Sequence, residues 1–201
     1  MALSETLSET SICNMSLAKL GANKIPDGQT VEGSATLEAV QCRLHYEQTR
    51  DALVRSHSWR FAAARKALST TTTPAFEWDY AFDLPDDFLA MRSIYENRFS
   101  GENFRSYALE GSLLLTDENA MSIRYTKNVT DVTEFDSLFI EVLVLQLALK
   151  LTSLAGSTPE IRESLKDDLK NLMPSVKALD RQETNTAGQY ELETWNDARY
   201  A

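Results

Sequence analysis

The sequence predicts a mainly α fold, a helical bundle with a small antiparallel β insertion and an extended C-terminal arm. Three observations predict it. Apolar side chains recur at three- and four-residue steps towards both ends of the chain, residues 76 to 84 alternate with a period of two, and the stretch beyond residue 181 keeps no period. At 201 residues the chain suits one ordinary domain with a real core. The expected division is a single domain over residues 1–181, built from a helical bundle (4–66 and 133–181) and a β insertion (74–130), followed by an arm over residues 182–201.

Residues 4 to 20 read as the first helix, with Ser4 as cap, Leu7, Met15, Leu17 and Leu20 on its apolar side, and Gly21 as its stop. Ile25-Pro26-Asp27-Gly28 is a turn. A longer helix over residues 34 to 57 places Ala35, Ala39, Cys42, Tyr46 and Leu53 on one face. Phe76, Trp78, Tyr80, Phe82 and Leu84 then share one side of a strand whose other side is mainly acidic, and Pro85 ends it. These aromatics are the expected core or interface of the β insertion. The preceding run from Ser69 to Pro74 reads as a loop. Shorter strands are expected at residues 90 to 95, 106 to 109, 113 to 116 and 122 to 127, with Glu110-Gly111 as a hairpin turn.

Helical signals return at Thr133 or Asp136 and stop at Gly156. A last helix takes Thr158 as cap and Pro159 in its first turn, and it carries Ile161, Leu165, Leu169 and Leu172 to Pro174, which kinks or ends it. The final segment is polar yet holds Tyr190, Leu192, Trp195 and Tyr200, spaced aromatic and apolar anchors of an arm that orders on a partner or, alternatively, folds back on its own domain.

The formal net charge of −10 argues against tight, sequence-independent binding to nucleic acid, which needs clustered Lys and Arg to release counterions from phosphates. The most apolar run, residues 138 to 151, is broken by Glu141, Gln146 and Lys150 and is too short for a bilayer of roughly 30 Å, so no membrane association is expected. Cys13 and Cys42 sit among apolar helical positions and read as free core thiols of a protein made in a reducing cytoplasm.

Phosphate-cradling, metalloprotease, hydrolase and zinc-ribbon spacings are all missing, so no catalytic, cofactor-binding or metal-binding residue is assigned. Cys13, Cys42, His45 and His57 have the composition of a zinc finger without its spacing. His57 reads as a helix C-terminal histidine complementing the dipole. Asp86-Asp87 and Asp167-Asp168 are neighbours in sequence, which points each pair in different directions and does not make a glycosidase site. The one basic strip, Arg50, Arg55, Arg60, Arg65 and Lys66 with Trp59 and Phe61 among them, is a candidate to face DNA or to pair with acidic residues of a neighbouring copy.

Three stretches carry a resemblance: Ile12-Cys13-Asn14-Met15-Ser16-Leu17-Ala18-Lys19-Leu20-Gly21, then Arg50 through Arg55-Ser56-His57-Ser58-Trp59-Arg60-Phe61-Ala62, then Phe76-Glu77-Trp78-Asp79-Tyr80-Ala81-Phe82-Asp83-Leu84-Pro85 and on to Leu89. Together they resemble the tail tubular protein A family of phage head-to-tail adaptors, over about residues 8 to 175. The Arg-Ser-His-Ser-Trp-Arg-Phe-Ala and aromatic-strand stretches are the more specific parts.

The resemblance implies a non-enzymatic virion protein. Its copies would form a dodecameric ring beneath the portal and continue the DNA channel into the tail, acting by geometry and letting DNA pass without specific binding. The implied partners are further copies, the portal protein and a tail nozzle or tube protein, and the implied location is the virion neck after assembly in the host cytoplasm. In that setting Tyr190, Leu192, Trp195 and Tyr200 are the anchors expected on the portal. Two other readings compete: a phage-encoded regulator directed at a host protein, and an adaptor with cell-wall hydrolase activity.

Overall fold

The computed structural model describes residues 7–95, 107–153 and 158–184. Within them the fold is mixed α/β, with four helices (48% helical) and seven strands in two antiparallel sheets (21% in strands), so the expectation of a mainly α bundle is corrected. The sheet-forming region begins at Ala63, before the expected start of the insertion, and it takes in the threonine run that read as a loop. Helical periodicity was a poor guide here, because Ala63-Ala64-Arg65-Lys66-Ala67-Leu68 consists of good helix formers that are claimed by a neighbouring strand.

The first helix, α1 (Glu9–Lys19), starts later than expected, because Ser8 rather than Ser4 caps it. Ser8 and Ser11 satisfy each other's backbone N–H groups in a capping box. Helix α2 (Leu37–Ser56) is capped by Thr36 and buries Ala39, Cys42, Tyr46, Leu53 and Val54, while Ala35 lies exposed outside it. Helix α3 (Ser137–Leu151) is capped by Asp136, whose carboxylate accepts from Leu138 N at 2.8 Å. It packs against α1, α2 and α4 (Pro159–Thr184). Its buried residues, among them Phe139, Val142, Leu143, Leu147 and Leu151, cover most of its circumference, as expected of a helix enclosed by others. Pro159 occupies the first position of α4, where a missing N–H costs nothing, and the helix runs through Pro174 to Thr184 without ending there.

Seven strands follow α2 and precede α3. Strands β1 (Ala63–Leu68), β7 (Met121–Lys127) and β4 (Phe88–Tyr95) form a three-stranded sheet with β7 in the middle. Strands β2 (Thr70–Thr72), β3 (Tyr80–Asp83), β6 (Leu113–Thr116) and β5 (Ala108–Glu110) form a four-stranded sheet in that order. Gly111 at φ 59 makes the tight β5–β6 connection, a left-handed conformation that a side chain resists. Leu68, Phe82, Leu114, Met121, Ile123 and Tyr125, drawn from both sheets, form a small second core.

The long aromatic strand expected at residues 76 to 84 is cut to its second half. Glu77 has φ 74, and Trp78 N donates to Phe76 O at 2.9 Å, so the chain turns sharply just where the alternation began. Tyr80 and Phe82 enter β3, with Phe82 buried and Tyr80 packed against the small core. Trp78 is half-buried outside the strand, and Phe76 is 79% exposed. Alternating composition supplies a strand only where a partner supplies the ladder, and β3 pairs with β6 only over Tyr80–Asp83.

Candidate functional site

The stretch Arg55-Ser56-His57-Ser58-Trp59-Arg60-Phe61-Ala62 forms the joint between the helices and the sheets. His57 ends α2 in an extended conformation, which throws the chain towards β1. Trp59 is 1% exposed; its indole Nε1 donates to Leu53 O at 2.9 Å and its ring meets Phe139 edge-on at 5.1 Å. Phe61, Phe135 and Phe139 continue the aromatic cluster. Hydrogen-bonding the one polar atom of the buried indole avoids the cost of desolvating it unpaired.

Polar groups fasten the joint from two sides. His57 Nε2 donates to Asp180 Oδ2 of α4 at 2.9 Å, and Asp180 Oδ1 accepts from Arg60 N at 3.0 Å. The histidine therefore crosslinks α2 to α4 in addition to ending its own helix. From the sheet side, Arg92 of β4 donates to Trp59 O at 2.6 Å, Ser58 O at 3.3 Å and Thr126 Oγ1 at 2.8 Å. Burial holds the Arg92 guanidinium below its usual pKa, and the Asp180 carboxylate offsets part of that. Sequence reasoning missed Arg92, whose place in an unremarkable strand gives no sign that it reaches the carbonyls of a distant turn.

The basic strip is not one surface. Arg50 is buried at 5% exposure against Tyr46 and pairs with Asp51 at 2.8 Å. Arg55 donates to Leu89 O, and Arg60, an exposed residue, enters the joint through its backbone N–H. Arg65 and Lys66 are exposed on the edge strand β1, and the register sets Arg65 directly opposite Arg124 of β7. Together with Ala67, Ser122 and Ile123 these three cations line a groove of about 390 Å³.

The helices place Cys13 of α1 and Cys42 of α2 side by side as buried free thiols, and hydrogen bonding between them together with burial pushes the Cys13 thiol far up. Among the described residues no three His, Cys, Asp or Glu side chains converge as metal ligands. Asp87 accepts from the Tyr125 hydroxyl at 2.9 Å, which is a structural bond in the β region. Asp167 and Asp168 are exposed on α4. The anchors Tyr190, Leu192, Trp195 and Tyr200 lie outside the described residues. No described helix is long and apolar enough to cross a membrane. No family model and no curated protein matches the chain.

Proposed function

We propose that the chain is a structural protein of a tailed phage, a head-to-tail adaptor whose copies form a ring between portal and tail and continue the DNA channel. The observation that supports this reading is the position of the most specific resembling stretch. Residues 55 to 62, together with Arg92 and Asp180, set the angle between helices and sheets. A protein that works by holding surfaces in fixed relation needs a rigid joint of this kind, with an aromatic core and saturated polar groups.

In this reading the C-terminal segment, carrying Tyr190, Trp195 and Tyr200, docks on the portal, and the sheets meet neighbouring copies or the tail. Negative-stain imaging of the purified protein, alone and mixed with the portal of the same phage, tests it. Rings stacked on the portal, lost when residues 185–201 are deleted, support the adaptor. Monomers or dimers that ignore the portal overturn it in favour of a host-directed regulator.

A further inference from the structure

The β region is polarised in charge. Between residues 67–91 and 107–123 the sequence has eight acidic side chains and no lysine or arginine. Glu77, Asp79, Asp83, Glu110, Asp117 and Glu118 belong to the four-stranded sheet and its connections. In the same connection Phe76 stands 79% exposed beside Glu77 in its left-handed conformation, a large apolar side chain presented to solvent by a strained bend.

The three-stranded sheet has the opposite character. Leu68, Met121, Ile123 and Tyr125 turn one of its faces to the small core shared with Phe82 and Leu114. The strand period of two therefore puts Arg65 and Arg124 on the other face, away from the four-stranded sheet. Like charges directly opposite each other across a ladder destabilise it. No described carboxylate pairs with Arg65, Lys66 or Arg124, in a protein with 30 acidic residues against 20 basic. Three cations around a groove call for an anionic partner, and the acidic four-stranded sheet of a second copy supplies one.

We propose that copies associate head to tail through these two surfaces, the acidic four-stranded sheet of one copy docking, with Phe76 leading, on the Arg65 and Arg124 face of the next. A twofold-symmetric contact would stop at a dimer, whereas a head-to-tail contact sets acid on base at every step and yields a ring when the rotation closes. A phenyl ring entering between two guanidinium groups also gains cation–π attraction. The proposal rests on the ring reading above and names the contact that would build it.

Sedimentation velocity of the full chain over a wide concentration range tests it, beside the variants Arg65→Glu/Arg124→Glu and Glu77→Lys/Asp79→Lys. The expected result is self-association by the wild type that weakens at least about tenfold between about 0.1 M and about 0.5 M salt. Each variant alone stays monomeric, and an equimolar mixture of the two associates again, since every contact in the mixture pairs opposite charges. That recovery also shows both variants to be folded. Variants that assemble like the wild type overturn this interface and leave the ring reading standing. Charge-dependent dimers that never form rings overturn both the head-to-tail arrangement and the adaptor. A wild type that stays monomeric at every concentration overturns the contact, as does a basic face that retains a DNA duplex at physiological salt and whose reversal leaves self-association unchanged.

Discussion

In the helical region, α3 buries Phe139, Val142, Leu143 and Leu147 inside a single apolar cluster that reaches from Ile12 to Val176. In the β region the corresponding core is six residues shared between two sheets, and Phe76, Leu109 and Tyr107 remain exposed around it. The first region has the larger core, although Met15, Leu37, Val40, Leu44 and Leu179 stay exposed on its helices; the second has a small core and leaves unmatched charge at its periphery. Burial of apolar area dominates folding free energy, so the difference in core size assigns stability mainly to the helices.

The strongest way to break that contrast is Trp59→Ala. Loss of this ring from the joint should cost about 3–5 kcal/mol, read by chemical denaturation. A change below about 1 kcal/mol would mean that the joint does not couple the two regions. Next comes the polar fastening. Asp180→Ala should cost about 1–3 kcal/mol, because it leaves His57 and Arg60 N without their acceptor. A double-mutant cycle with His57→Ala should show a clear coupling energy, and simple additivity would place the pair outside the joint's stability.

Two buried tyrosines sharpen the comparison on a smaller scale. The Tyr46 hydroxyl in α2 is buried and draws no hydrogen bond among the described residues, whereas that of Tyr125 in β7 donates to Asp87. Tyr46→Phe should therefore be neutral or stabilising by up to about 1 kcal/mol, and Tyr125→Phe destabilising by about 1–2 kcal/mol. Equal losses in the two variants would remove the distinction.

Alkaline titration probes the same pair. Burial, and then the hydrogen bond and charge of Asp87, push Tyr125 up to about 12 from the usual 10.0. A raised phenol pKa favours the neutral form in the folded protein. Its stabilisation is complete below about pH 10 and is lost as pH rises through about 12. Burial raises Tyr46 in the same direction. Denaturation followed between pH 9 and 12 should show a falling limb that Tyr125→Phe makes shallower, and an unchanged limb would assign the loss to other groups.

Much of the helical region was legible in the sequence. The buried side of α2 follows Ala39, Cys42, Tyr46 and Leu53, and α4 begins at the expected Pro159. Strand β6 occupies Leu113–Thr116, as expected, and the β5–β6 turn uses the expected Gly111. These features are local: a helix period, a cap or a glycine states its requirement within a few residues.

What the sequence by itself determined is therefore the set of elements whose signals close over short distances, together with the acidic balance and the absence of familiar catalytic spacings. Only the tertiary structure decided that Ala63–Leu68 is a strand, that Phe76 is outside one, and that Arg50 of an apparent basic strip is buried. It also decided that Arg65 meets Arg124 and that His57 meets Asp180. The physical reason is that strand pairing and polar crosslinks join residues far apart in the chain, so each partner's role depends on a group whose position no local pattern specifies.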